Sequence, residues 1–332
     1  PYGIPMVQAD LISDSLASNR KVCIIDSGYQ LAHEDLNRGA GDSSVTGEYD
    51  AGTGWWYTDE NHHGTHVAGT IAAINNGGGV VGVNANKTLK LHIIKVFGAD
   101  AWAYSSTLTA AVDKCAAAGA NVISMSLGGS RSSRTEISAF DKYYKRTTNS
   151  ILAIAAAGND GSTRISYPAG YTNVVSVGAV DENKAWATFS QYNKDVEIAA
   201  PGVGVLSTVP MGTGRDATLS VGATGYAVSP MEGSPVGSAS AALVDCGLAT
   251  AACTAAAGGK VCLIQRGTNS FAEKVQNCAA GGGAAAVLYN NVAGMLYGTM
   301  GGVATSIPSV GISDVDGAAL KASSLGATAW QH

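Results

Sequence analysis

An acid, an imidazole and a primary amide stand at three separate element ends of this 332-residue chain, and together they could relay a proton and stabilise developing negative charge. Asp26 closes the run Lys21-Val22-Cys23-Ile24-Ile25 and is followed by Ser27-Gly28. His63 opens His63-Gly64-Thr65-His66-Val67-Ala68-Gly69, a loop-to-helix junction whose small residues permit close packing. Asn159 follows Ala156-Ala157-Gly158 beyond an apolar run, where its amide can donate to an oxyanion. Singly, Asp26 could be a helix cap, His63 a core histidine and Asn159 a turn residue; their joint occurrence disfavours all three. The cluster His62-His63-x-x-His66 lacks the His-Glu-x-x-His arrangement of a zinc protease.

The elements that must position these residues alternate in type. Near-continuous apolar runs at 22–25, 91–97, 122–125, 151–155, 174–177 and 196–199 read as strands buried on both faces. Helical patterns fall between them at 63–75, 105–118 and 135–147. The pattern predicts an α/β fold with a doubly wound parallel sheet, whose chemistry sits at the carboxyl ends of its strands. Asp26, Ser126 and Asn159 each fall just beyond one. The texture changes after Pro210 to a Gly/Ser/Thr/Ala-rich stretch without helical periodicity. Short strands at 241–244, 260–265 and 285–289 and helices at 271–281 and 317–324 then read as a second, smaller α+β domain over 216–332, inserted after a first domain of 1–212.

Composition narrows the class. Hydrophobic residues make up 46% and charged residues 14% of the chain, which suits a well-buried core and argues against disorder. A net charge of −5 without a basic stripe gives no reason to expect nucleic acid as a partner, and no apolar run is long enough for a membrane span. The chain opens Pro1-Tyr2-Gly3 without an initiator methionine or signal peptide, as a mature product would. Six cysteines without Cys-x-x-Cys spacing fit disulfides of an oxidising compartment, hence a secreted, extracellular protein. The 43 glycines, 8 prolines and few charges are compatible with adaptation to cold.

The stretches Ile25-Asp26-Ser27-Gly28, His63 to Gly69, Ser126-Leu127-Gly128-Gly129 and Ala157-Gly158-Asn159 resemble the subtilisin-like serine proteases, in that family's order and spacing, over about residues 1–210. The resemblance implies that Asp26 orients the imidazole of His63, that His63 acts as general base and then general acid, and that Asn159 is the oxyanion-hole side chain. It further implies that Ser126, Leu127, Gly128 and Gly129 pair with an extended protein or peptide substrate, with Asp100 and Trp102 flanking its other side. Tyr104 and Leu127 would line an apolar pocket. Residues 126–129 with Ala157 and Gly158 would wall the main specificity pocket, where Gly128 and Gly129 leave room for large apolar side chains. The same resemblance places a Ca2+ ion on Asp35, Ile74, Asn76, Gly78 and Val80, a carboxylate, an amide and backbone carbonyls being calcium-type ligands. A weaker cation site is implied near Ala169, Tyr171, Val174 and Glu197.

The family carries its nucleophile in a Gly-Thr-Ser-Met-Ala motif, and no such motif occurs in residues 1–332. The nearest words are Gly267-Thr268-Asn269 and Ala304-Thr305-Ser306, in the second domain. The serine is therefore expected on a segment after residue 332, carried by a companion chain, because losing a buried serine helix would leave a large apolar surface uncovered. The alternatives are a fragment, or a pseudoprotease that only binds substrates or partners. Lys260-Val261-Cys262-Leu263-Ile264-Gln265-Arg266-Gly267, residues 281–291 and Ile307-Pro308-Ser309-Val310-Gly311-Ile312 resemble the protease-associated domain, found inserted in subtilases ahead of the serine. Six cysteines allow 15 pairings. Cys23 with Cys115, Cys253 with Cys262 and Cys246 with Cys278 are the pairs expected here.

Overall fold

The computed structural model describes residues 1–36, 44–98, 104–145, 148–301 and 303–331, leaving aside the side chains at 330 and 331. The chain folds as two compact units, Pro1–Gly214 and Arg215–His332.

The first unit runs through Gly3–Met6 (α1), Lys21–Asp26 (β1), Val45–Gly47 (β2), Tyr49–Asp50 (β3), Gly54–Trp55 (β4), His63–Ala72 (α2) and Lys90–Lys95 (β5). It continues with Ser105–Ala117 (α3), Val122–Met125 (β6), Arg134–Tyr144 (α4), Leu152–Ala156 (β7), Val174–Val180 (β8) and Ile198–Pro201 (β9). A seven-stranded sheet has the order β2-β5-β1-β6-β7-β8-β9, and each of its pairings is parallel. Side chains alternate along β1, so Cys23 and Ile25 join the core under α3 and α4 while Ile24 faces the opposite layer with Ala68 and Ala72 of α2. Helices thus lie on both faces, as the alternating pattern predicts. The order reverses direction at β1, the switch point where open α/β sheets place their chemistry.

Burial departs from the sequence reading on one face. The register aligns Val22 with Val122, Val122 with Leu152, Ile154 with Val175, and Val177 with Ile198, so these side chains continue the face that α2 covers at β1. Beyond α2 that face lies open: Leu152 is 43% and Ile198 55% exposed, and Val122, Ile154, Val175 and Val177 are only half-buried. Ala153, Ala155 and Val174, pointing the other way, are buried.

The second unit carries Leu219–Val221 (β10), Thr224–Tyr226 (β11), Ser229–Pro230 (β12), Ala239–Asp245 (β13), Val261–Gln265 (β14), Phe271–Ala280 (α5), Ala285–Tyr289 (β15), Ser309–Ile312 (β16), Asp314–Ser323 (α6) and Thr328–Gln331 (β17). Its mixed sheet has the order β11-β10-β17-β13-β14-β15-β16-β12, with β13 to β16 parallel. Strands β10 to β12 fall in the Gly/Ser/Thr-rich stretch where no element is predicted. Ser270 caps α5 with a capping box to Glu273, so the serine following Gly267-Thr268-Asn269 has its hydroxyl engaged structurally.

Cys23 and Cys115 are joined, tying β1 to α3. The other two bonds are Cys246–Cys253 and Cys262–Cys278, which corrects the expected Cys253–Cys262 and Cys246–Cys278. The sulfurs of Cys246, Cys253 and Cys262 all lie within 4.8 Å of one another, so spacing along the chain could not choose among them. The fold decides: Cys262 on β14 and Cys278 on α5 meet in one buried layer, while Cys246 closes a short loop just after β13.

Candidate active site

Two glycines let the end of β1 touch the start of α2. A Cβ on Gly64 would lie 2.2 Å from the carbonyl oxygen of Gly28, and one on Gly28, whose φ is +128°, would lie 2.0 Å from the Thr58 carbonyl. Only bare backbone fits this crossing. Asp59 then fastens the helix start: its carboxylate accepts from His62 N (3.0 Å), Thr65 N (2.8 Å), Thr65 Oγ1 (2.6 Å) and Ser27 Oγ (2.8 Å). Gly64 N donates in turn to Ser27 Oγ at 2.8 Å. An acid at a helix N-terminus satisfies open N–H groups and complements the helix dipole. Buried Lys95 holds the preceding loop through Thr58 O (2.9 Å) and the Glu60 carboxylate.

The result is a hydrogen bond of 2.8 Å between His63 Nδ1 and Asp26 Oδ1. Asp26 is fully buried and His63 half exposed. An ionised carboxylate only accepts, so Nδ1 carries the proton and Nε2 keeps its lone pair, the tautomer a general base needs. The hydrogen bond to Asp26 raises the His63 pKa above the ordinary histidine value, against the opposing effect of burial. Asp26 Oδ1 also accepts from Ser27 N at 2.7 Å, while Oδ2 is buried with no hydrogen-bond partner among the described residues.

Asn159 sits in the turn after β7, exposed to solvent. Sequence reasoning did not single out Gln191, which staples this turn: Asp160 N donates to Gln191 Oε1 (2.7 Å), Gln191 Nε2 to Asp160 Oδ2 (3.1 Å) and Gln191 N to Gly158 O (3.0 Å). Gln191 is buried and polar, a combination visible only once the fold is known. Asn159, Gly158, Gln191 and residues 126–130 line a cavity of about 290 Å3, together with Ala156, Arg164 and Ser166. Ala157, expected in this wall, is buried just beyond β7, where its N–H donates to Val177 O at 2.9 Å.

Residues 126–130 also border a second cavity of about 730 Å3, lined by His63, Val96, Phe97, Tyr104, Leu108, Leu127 and Tyr167. Tyr104 and Leu127 are thus brought together as expected. Glu136, which the sequence did not mark, lines it too. Gly129 pairs with Tyr167 through two backbone hydrogen bonds of 2.8 Å, whereas no backbone hydrogen bond reaches Leu127 or Gly128 among the described residues. Asp100 and Trp102 lie outside the described residues.

The residues expected to hold Ca2+ also converge. Asp35 is buried, and its oxygens accept from Asn76 Nδ2 (3.0 Å) and Val80 N (2.9 Å), while Ile74 N donates to Asp35 O (2.8 Å) and Gly78 N to Asn76 Oδ1 (3.1 Å). A Cβ on Gly79 would lie 1.9 Å from Asp35 Oδ2, so the loop closes directly on the carboxylate. Both carboxylate oxygens are met by N–H groups; turning the Asn76 amide over would bring its oxygen to face Asp35.

With this geometry in hand, the class follows. Residues 17–261 match the Subtilase family and residues 239–320 the PA domain, and the chain belongs to the subtilases, a family of serine peptidases. It is similar to subtilisin DY of Bacillus licheniformis, with 42% identity over 219 residues that cover 64% of this chain and 76% of that protein. It is also similar to subtilisin BL of Lederbergia lenta, with 41% identity over 215 residues and the same two coverages. The crystal structure of the psychrophilic subtilisin-like protease Apa1 from the Antarctic psychrotroph Pseudoalteromonas sp. AS-11 superposes with a TM-score of 0.75 at 42% identity, covering 100% of this chain and 80% of that one. No helix among the described residues is long and apolar enough to cross a membrane.

Proposed function

We propose that this chain supplies the acid, base and oxyanion donor of an extracellular serine endopeptidase whose nucleophile lies on a segment beyond residues 1–332. The 2.8 Å bond from His63 Nδ1 to Asp26 Oδ1 carries the reading, since it leaves the Nε2 lone pair to take the serine proton. The activated oxygen attacks the scissile carbonyl, and Asn159 donates to the oxyanion that forms. His63 then returns the proton to the leaving amine, and water, deprotonated by His63, releases the acyl group. The substrate lies extended along Leu127 and Gly128, which no backbone hydrogen bond reaches among the described residues. Ser126 and Gly129 border the same strip, and Asp100 and Trp102 are assigned to its far side.

The open face of the sheet supports a serine-bearing segment. A stripe from Val122 and Leu152 to Ile198 is too apolar to stand in water when the rest of the sheet is covered. A pseudoprotease would need the same cover without the chemistry. Residues 1–212 are assigned to the catalytic domain and 216–332 to the protease-associated domain, which binds substrates or partners. Three disulfides favour secretion. Ca2+ is assigned to Asp35, Ile74, Asn76, Gly78 and Val80, where it would brace the loop after α2 through oxygen ligands. The test is hydrolysis of an unfolded protein by the intact protein. Cleavage at internal peptide bonds, abolished in the variant His63→Ala, is expected; peptide binding without cleavage would establish the pseudoprotease instead.

A further inference from the structure

One charged group in the large cavity has no place in the chemistry above. Glu136 is 6% exposed, yet it lines a cavity whose walls are mostly apolar, from Leu108, Leu127, Phe97 and Tyr167. Its Oε2 accepts one hydrogen bond, from Tyr171 Oη at 2.7 Å, and Tyr171 Oη accepts from Ser133 N at 2.8 Å. Ser133 is the N-cap of α4 and Glu136 its N3 residue, so the tyrosine is inserted into what would otherwise be a direct capping box.

That structural duty does not require a charge. A glutamine oxygen would accept from Tyr171 equally well, without the desolvation cost of a carboxylate. The start of α4 favours the anion. No cation pairs with Glu136 among the described residues, although the exposed Arg131 borders the same cavity. A carboxylate has lone pairs for about four hydrogen bonds, and among the described residues one is used here.

We infer that Glu136 sets the specificity of this cavity, which receives a lysine or arginine side chain of the substrate, several residues upstream of the scissile bond. The methylene stem packs on Leu108, Leu127 and Tyr167, and the cationic end pairs with the carboxylate. Depth decides the sign. An acidic substrate side chain would meet Arg131 in solvent, where a charge pair is weak, whereas a basic one meets Glu136 in a water-poor site, where it is strong.

The inference rests on the substrate path proposed above, so its test reads binding and does not depend on turnover. Alanine-based hexapeptides carrying Lys, Leu or Glu at each position in turn are titrated against the intact protein and against Glu136→Gln. Lysine at one position is expected to bind about tenfold or more tighter than leucine there, as a charge-assisted hydrogen bond would give. Glu136→Gln should remove most of that gain and leave the all-alanine peptide unchanged. Leucine binding best at every position, or a lysine preference that survives in Glu136→Gln, would overturn the inference. The wild-type panel decides the first point even if the variant folds poorly. Cleavage of the same peptides reports separately on the proposed enzymatic activity.

Discussion

Gly64→Ala is the sharpest probe of how the site is assembled. Its Cβ would lie 2.2 Å from Gly28 O and 2.8 Å from Gly28 N, both backbone atoms that no side-chain rotation can clear. The start of α2 must therefore retreat by about 1 Å from the turn after β1, a small-to-large strain worth roughly 1–3 kcal/mol. Alanine is the better helix former by about 1 kcal/mol, which offsets part of that cost, so the fold should survive with a modestly lower Tm. The retreat acts on the 2.8 Å bond that joins the two elements, His63 Nδ1 to Asp26 Oδ1. A misplacement of about 1 Å at reacting groups costs on the order of 100-fold, near 3 kcal/mol of barrier. The assay is kcat/KM on a peptide substrate, with peptide affinity measured in parallel. A roughly 100-fold fall in kcat with KM little changed is expected. Activity within twofold of the parent would show that close backbone contact does not position the imidazole, and the reasoning would fail.

Asp26→Asn should lower kcat by about 10^4-fold, because the amide favours the wrong imidazole tautomer. In the parent, the Asp26 bond raises the His63 pKa, so activity should rise with pH through that elevated value, and an NMR titration of the imidazole should show it move down in Asp26→Asn. For stability the sign is opposite: the pair's contribution is fully present below the ordinary histidine pKa and is lost as pH rises through the folded value. Gln191→Ala should lower kcat by roughly tenfold or more by freeing the turn that carries Asn159, with Asn159→Ala the reference at about 100- to 1000-fold. Peptide mapping without reduction should recover Cys246 linked to Cys253 and Cys262 linked to Cys278; a Cys253–Cys262 peptide would contradict the fold of the second unit.

Six of the seven strands in the first unit's main sheet were legible because they are apolar runs, and the longer helices between them follow a clear period, whereas β2 to β4 are two or three residues long and gave no signal. Val22 to Ile25 and the stretch around Leu91 announce themselves through burial on both faces. The motifs around Asp26, His63 and Asn159 lie at strand and helix ends, where turn chemistry shows in the residues. Other features are products of tertiary contact. Nothing local in Gln191 says that it will hold the Asn159 turn, and Glu136 reads as an ordinary first-turn acid until Tyr171 and the cavity close around it. Strands β10 to β12 are short and rich in small residues, so alternation is too weak to reveal them. Cys23–Cys115 was read correctly, but the two pairs of the second unit escaped because the sulfurs of Cys246, Cys253 and Cys262 meet in one place. The open face beyond α2 was masked by strands such as Leu152–Ala156 that read as fully buried.

In the function proposed here, Asp26 and His63 serve a serine lying outside residues 1–332. Labelling the active preparation with a serine-directed phosphonofluoridate and mapping the adduct by mass spectrometry tests it most directly. One modified serine, on a peptide outside this chain, is expected, with labelling lost in His63→Ala. An adduct on a serine within residues 1–332, or no adduct on a preparation that still hydrolyses protein, would contradict it.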